Sequence, residues 1–268
     1  MIKNDSLSNV RCFLLDMDGT VYLGEQLLEG ASRFIEVLEQ QDRDFLFLTN
    51  NSSKDSQQYA EKLTRLGLPV SREKVFTSGE ATAMHIRDQK PGARVYIVGT
   101  SALENELLAH GFLFTREQPD YAVLGFDTTL TYDKLWTLCD LVRAGVPYIA
   151  THPDYNCPTE DGFMPDIGAT IAFVKASTGR EPDLVVGKPN RLFVEKAAER
   201  VGVPASGMCM IGDRLYTDIA LGATAGIPTI LVLSGETRQE DLSASPYQPR
   251  YVFAHLGAIA DRLLETKS

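Results

Sequence analysis

The apolar run Cys12-Phe13-Leu14-Leu15, followed at once by Asp16-Met17-Asp18-Gly19-Thr20, constrains this chain more than any other stretch. An uncharged run of this length reads as a strand buried on both faces, and it stops abruptly at two aspartates and a glycine. Strands covered on both faces belong to parallel sheets flanked by helices. Ligands of such sheets gather just beyond the carboxyl ends of the strands. Asp16 is therefore expected where a core strand opens into a crevice, with Asp18 two residues on and Gly19 turning the backbone away. Two carboxylates this close repel each other unless a cation or a shared proton intervenes. A hard divalent cation with oxygen ligands answers that repulsion, and magnesium is the usual one where phosphate is also bound. The plainer reading is an acidic loop on an ordinary turn, so the rest of the chain has to decide.

The same theme recurs downstream. Residues 30–40 have apolar side chains at helical spacing (Ala31, Phe34, Ile35, Leu38), and residues 44–51 form a second apolar run that ends in Thr49-Asn50-Asn51. A helix over residues 52–67 follows, with Ser52, Ser53 or Asp55 as its cap, and then a short strand at 75–78. From residue 79 a second series begins: helix 80–88, strand 94–99, helix 101–110, strand 121–125, helix 132–144 and strand 147–151. Residues 152–166 read as a loop, and 168–177 as a helix. A third strand-to-loop unit, 183–189, carries Gly187-Lys188-Pro189. After it come helix 191–202, strand 208–213 ending on Asp213, a short helix 218–225, strand 229–233 and a helix over 256–264. The expected fold is α/β, a doubly wound parallel-sheet (Rossmann-like) core with an inserted α/β cap domain. The boundaries are 1–79 and 183–268 for the core and 80–182 for the cap.

Charge narrows the ligand. The formal net charge is −10 with no basic cluster, which argues against nucleic acid and anionic membrane surfaces and for a small molecule. A negatively charged substrate would then need a local metal or lysine working against the global field. Cys12, Cys139, Cys157 and Cys209 are widely and irregularly spaced, so neither a zinc site nor a disulfide framework is indicated. No signal-peptide pattern and no apolar run of membrane-spanning length is present, so the expected location is cytoplasmic.

Strand ends thus carry Asp16 and Asp18, Thr49 and Asn50, Lys188, and Asp213 with Asp218 five residues on. If these strands share one parallel sheet, their tips meet at one rim. Carboxylates for a metal, a lysine for phosphate charge, and hydroxyl and amide donors for phosphate oxygens are what phosphoryl transfer requires. Asp16-Met17-Asp18-Gly19-Thr20, Thr49-Asn50-Asn51, Gly187-Lys188-Pro189 and Gly212-Asp213-Arg214-Leu215-Tyr216-Thr217-Asp218 resemble, in order, the four motifs of the haloacid dehalogenase (HAD) superfamily. The TNN and GKP forms and the long insertion resemble its class IIA, the NagD-like and 4-nitrophenylphosphatase-like phosphatases.

That resemblance implies a magnesium-dependent phosphatase acting on small phosphomonoesters through an aspartyl-phosphate. Asp16 would be the nucleophile and Asp18 the general acid/base. The metal would be held by Asp16, the main chain of Asp18, and Asp213, with Asp218 behind them. Thr49, Asn50 and Asn51 would bind the phosphoryl group, and Lys188 would neutralise its charge. Asp154, in the cap loop where this class places substrate-selecting residues, is the candidate for specificity. The class usually has asparagine where His152 stands here. Its caps often mediate dimers, so a homodimer through the cap is a further expectation. Trp136 and the Leu135, Leu138, Leu141 and Val142 stripe read as cap core or subunit contact, and Ser234-Gly235-Glu236-Thr237 as a loop beside the site.

Each residue has a plainer role to set beside the functional one. Asp16 could be an N-cap or turn residue, Asp213 could cap a strand end, Asp18 could form an Asx-turn with Gly19, Thr49 and Asp218 could cap helices, and Lys188 could be a solvated loop lysine. Two other functions use the same constellation: a phosphotransferase or mutase that passes phosphate to an acceptor, and a non-catalytic phosphometabolite sensor. An intact Asp16/Asp18 pair argues against the sensor, which has no need of an acid/base.

Overall fold

The computed structural model describes residues 7–159 and 162–265. The chain divides into two compact units. The first takes the chain up to Leu48, Ala60–Val75 and the chain from Pro189 onward; the second takes Thr49–Tyr59 and Phe76–Lys188.

The sheet of the first unit has six strands, in the order Tyr251–Phe253, Thr229–Val232, Met208–Gly212, Cys12–Asp16, Asp44–Thr49 and Val75–Thr77. Cys12–Asp16 pairs in parallel with Met208–Gly212 on one side (Leu15↔Ile211) and with Asp44–Thr49 on the other (Leu15↔Phe47). The chain winds outward in one direction through its early strands and in the other through its late ones, so the winding reverses at Cys12–Asp16. That reversal is the crevice where open α/β sheets bind ligands.

The reason this strand lies at the centre is visible in its burial. Cys12, Phe13, Leu14 and Leu15 are all fully buried, as an uncharged run requires. Phe13 meets Phe34 edge to face at 5.7 Å between ring centroids. Phe34 lies on the helix Ala31–Gln40, whose buried face is Ala31, Phe34, Ile35, Val37 and Leu38. Each of the two rings contributes about 1.5–3 kcal/mol by leaving water, and the pair geometry adds to that. Helix Arg191–Val201 shows the same logic at its ends: Asn190 Oδ1 accepts the Leu192 N–H at 3.0 Å, and Gly202 closes the helix at φ 69°.

The second unit is built on a five-stranded parallel sheet in the order Leu184–Val185, Tyr148–Ala150, Tyr121–Leu124, Arg94–Val98 and Leu113–Phe114. Its core includes Tyr96, Leu124, Leu138, Val142, Tyr148 and Val174. Leu138 and Val142 of the expected stripe are therefore core, whereas Trp136 is 62% exposed and is not.

Three expectations need correction. Residues 152–166 are not one loop: Asn156–Thr159 and Gly162–Pro165 form an antiparallel hairpin, with Asn156 opposite Pro165 and Cys157 opposite Met164. Prolines at 158 and 165 masked it, and a two-stranded ribbon, all edge, tolerates them. The strand before Lys188 is only Leu184–Val185, and it pairs with Tyr148–Ala150 of the second sheet. Asp183 secures that pairing, because its carboxylate accepts the Tyr148 N–H and its own N–H donates to Tyr148 O, each at 2.7 Å. The tips of Asp16, Thr49, Lys188 and Asp213 therefore do not share a single sheet. The expected short helix at 218–225 begins earlier, as a π-helical turn (Leu215–Ile219) running into Ala220–Ala225. Among the described residues, no helix is long and apolar enough to cross a membrane.

Candidate active site

In the first unit, Asp16 ends the central strand and Asp213 follows directly on Met208–Gly212, its parallel neighbour. Asp218 is brought back by the π-helical turn, in which Asp218 N–H and Ile219 N–H both donate to Arg214 O, at 3.1 and 3.2 Å. One carboxylate oxygen from each of Asp16, Asp213 and Asp218 lies within 4.8 Å of the others. Asp213 and Asp218 are buried, while Asp16 is partly exposed at the rim.

The cluster is held from several sides. Asp213 accepts from Thr20 Oγ1 at 3.5 Å and from the Glu236 N–H at 2.7 Å. Asp218 accepts the Arg214 N–H at 3.1 Å. Ser234 Oγ donates to Gly19 O at 2.9 Å, tying the loop at 234–237 to the turn after the central strand. Glycine is required around the carboxylates. Gly19 has φ +86° and its β carbon would stand 2.4 Å from Asp213 Oδ2; at Gly235 the distance would be 2.0 Å, and at Gly212 2.4 Å from Asp218. Only bare backbone can approach this closely.

These three carboxylates fit a divalent cation. They are hard oxygen donors of like charge that converge within one small space, the arrangement a hard divalent cation binds. Arg214 supplies further positive charge from the edge, paired with Glu236 at 2.9 Å. Burial works to lower its pKa, but the carboxylates of Asp16 and Asp213, joined by Tyr216 and Glu236, outweigh it and hold it above an ordinary arginine. The Asp18 carboxylate is not one of the three; Asp18 is exposed, and its carboxylate accepts from Tyr22 Oη at 3.1 Å. That phenol is buried under Lys62, whose ammonium stands 3.9 Å over the ring.

In the second unit a separate group gathers around Asn50. Its Oδ1 accepts the Lys188 N–H at 2.8 Å, and its Nδ2 lies 3.1 Å from both Lys188 O and Asp154 Oδ2. Thr49 Oγ1 accepts the Asn51 N–H at 3.1 Å, and Asn51 Oδ1 caps Ser53 through its N–H and hydroxyl. Thr49, Asn50 and Lys188 are buried. His152 is fully buried with both ring nitrogens engaged, one with Thr151 Oγ1 at 3.1 Å and the other with Asp166 at 3.0 Å, so it builds the loop that carries Asp154.

The structure thus brings Asp16, Asp213 and Asp218 together in one unit and Asn50, Lys188 and Asp154 together in the other. Sequence reasoning overlooked Thr20 and Arg214, which sit inside quoted motifs, and the Glu236 N–H, whose role depends on backbone direction alone. The loop at 234–237 was expected beside the site and lies there.

Comparison with known proteins identifies the family of this fold. Residues 13–113 match the haloacid dehalogenase-like hydrolase family, and residues 185–259 match a second HAD-hydrolase-like family. An acid sugar phosphatase of Staphylococcus saprophyticus is 38% identical over 258 residues, 96% of this chain and 99% of that protein. The crystal structure of a 4-nitrophenylphosphatase from Thermotoga maritima superposes with a TM-score of 0.92 at 48% identity, covering 95% of this chain and 98% of that one. A glycerol phosphate phosphatase from Mycobacterium tuberculosis, crystallised with magnesium, gives 0.87 at 35% identity, covering 95% of this chain and 78% of that one. The chain belongs to the haloacid dehalogenase-like hydrolases, within their NagD-like and 4-nitrophenylphosphatase-like class IIA of phosphoric monoester hydrolases.

Proposed function

We propose that this protein is a magnesium-dependent phosphatase that hydrolyses small phosphomonoesters, such as nucleoside monophosphates or sugar phosphates, through a covalent aspartyl-phosphate. The observation that carries the proposal is the convergence of Asp16, Asp213 and Asp218 at the reversal of a parallel sheet, with Asp16 alone of the three partly exposed. A carboxylate nucleophile has to be reachable, whereas carboxylates that only hold a cation do not. The named relatives, which act on sugar phosphate, nitrophenyl phosphate and glycerol phosphate, support the substrate class.

In this reading an Asp16 oxygen attacks phosphorus, the ester P–O bond breaks, and Asp18 protonates the departing alkoxide. Asp18 then takes a proton from water, whose oxygen attacks phosphorus, and the P–O bond to Asp16 breaks to release inorganic phosphate. Tyr22 Oη holds the Asp18 carboxyl in orientation for both transfers. A magnesium ion held by Asp16, Asp213 and the main-chain oxygen of Asp18, with Asp218 behind, would offset the repulsion between a carboxylate and a phosphate dianion. That repulsion is about 1 kcal/mol per charge pair at 4 Å in water and several times more in a drier site. Lys188 and the Thr49–Asn51 segment are assigned to the phosphate charge and oxygens, and Asp154 to substrate choice. The same reading keeps residues 80–182 as the cap and a homodimer formed through it.

Nitrophenyl phosphate hydrolysis tests the proposal. Activity should require magnesium, vanish on chelation, and fall by at least about a thousandfold in Asp16→Asn while the far-UV spectrum is unchanged. Retained turnover in that variant would remove Asp16 from the nucleophile role. Product analysis with added acceptor alcohol separates hydrolysis from phosphotransfer, and a folded but inert wild-type protein would point to a sensor.

A further inference from the structure

Asn50 belongs to a segment assigned to phosphate binding, yet its side chain is occupied elsewhere. A carboxamide has one acceptor oxygen and two N–H donors. Oδ1 takes the Lys188 N–H at 2.8 Å; one Nδ2 hydrogen serves Lys188 O and the other Asp154 Oδ2, both at 3.1 Å. The orientation of the amide is forced. A main-chain N–H can only donate, and a carbonyl and a carboxylate can only accept, so a flipped amide would set like against like at all three contacts. Any phosphate contact by Asn50 therefore falls to its main-chain N–H.

The surroundings are built to receive this amide. A β carbon at position 187 would stand 2.6 Å from Asn50 Oδ1 and 2.8 Å from Thr151 O, so the residue before Lys188 has to be glycine. On the other side, Gly168 N–H donates to Asp154 O at 2.8 Å, and a β carbon at 168 would stand 2.5 Å from Pro153 O. The buried His152–Asp166 pair fixes the same loop from below. Asn50 O is in turn held by Ser78 Oγ. One residue thus joins the segment after Thr49, the start of the helix at Ser78, the Asp154 loop and the main chain of Lys188.

We infer that Asn50 is a positioning residue that locks the main chain of Lys188 and the carboxylate of Asp154 into one cradle, so that the phosphate-charge lysine and the substrate-selecting acid move together. The inference rests on the phosphatase reading, in which Lys188 and Asp154 have those roles. What Asn50 anchors is the root of the lysine side chain. Loosening it costs orientation at the reacting centre, where a misplacement of about 1 Å lowers rate by about a hundredfold.

The test is a substitution cycle assayed on nitrophenyl phosphate. Asn50→Asp keeps the shape but turns an oxygen toward Lys188 O and Asp154; kcat should drop about a hundredfold with KM within about threefold. Adding Asp154→Asn returns a donor to that contact and restores the local charge; adding Asp154→Ala restores the charge alone. Measured against the Asp154 single variants, the first pair should recover at least about tenfold in kcat over Asn50→Asp and the second should not. Equal recovery by both, or strict additivity, overturns the inference while leaving the phosphatase reading intact; an inactive wild type would overturn that reading instead. A readout independent of turnover is hydrogen exchange at the Lys188 amide. It should speed up at least about tenfold in Asn50→Ala in the folded protein, and unchanged exchange would sink the cradle.

Discussion

Glu106 is an acid the proposed chemistry does not use, and its protonation is set by what surrounds it. Its carboxylate accepts from Thr77 Oγ1 at 2.8 and 3.0 Å and from the Ser56 N–H at 3.3 Å. Burial pushes its pKa up to about 8; the charges of Glu80 and Asp55 push the same way, and the Thr77 and Ser56 donors only partly oppose them. A folded pKa raised above the unfolded value of 4.5 means that the folded state holds the proton more tightly. The resulting stabilisation is complete below pH 4.5 and is lost as pH rises through about 8. Stability should accordingly fall by roughly 2–4 kcal/mol across that window. Glu106→Gln, which keeps an acceptor for Thr77 but cannot ionise, should flatten the profile when urea midpoints are compared from acid to mildly basic pH. At this scale, the residues with charge or hydroxyl chemistry could be singled out from sequence. Glu106 could not, since nothing in Glu104-Asn105-Glu106 distinguishes the one glutamate that meets Thr77 from the other.

Elements were legible where a physical signal repeats along them. Helix Arg191–Val201 carries Phe193, Val194 and Ala197 on its buried face, an asparagine at its start and a glycine at its end, so periodicity and both caps agree. Asn190→Ala should destabilise the protein by about 1 kcal/mol, read as a lower urea midpoint at unchanged m-value, with phosphatase kinetics intact. A midpoint equal to wild type would show that another group takes over the Leu192 N–H. Strands of two to four residues leave no such repeat. The pairing of Asn156–Thr159 with Gly162–Pro165 was missed, and the strand Leu184–Val185, though expected as a strand, lies in the other sheet, because each is specified by its partner: the first by pairing against itself, the second by Asp183 binding the ends of Tyr148–Ala150. The π-helical turn at Leu215–Ile219 was equally hidden. One extra residue in a turn changes no hydrophobic period, yet it lets the Asp218 carboxylate accept the Arg214 N–H.

For the molecule as a whole, a cation held by the three clustered carboxylates in a chain of net charge −10 would couple its binding to folding. A cation that binds only the folded state stabilises it by RT ln(1 + [M]/Kd), about 2.7 kcal/mol at a hundredfold excess over Kd. Magnesium should therefore raise the thermal midpoint in a concentration-dependent way. Asp16→Asn should lose most of that rise, and without metal its midpoint should equal or exceed that of wild type because one charge of the repelling set is gone. A magnesium-independent midpoint in the wild-type protein would argue against a cation at this cluster. The amino-acid order by itself determined the long buried strands, the helices with a repeating apolar face, and which chemical groups stand at strand tips, because these follow from local polarity and spacing. Tertiary structure alone decided that Asp213 and Asp218 share a space with Asp16, that glycines at 19, 212 and 235 make room for them, and that the amide of Asn50 is committed to Lys188 and Asp154. Those facts depend on the direction of backbone and on contacts between residues far apart in the chain, neither of which a local pattern records.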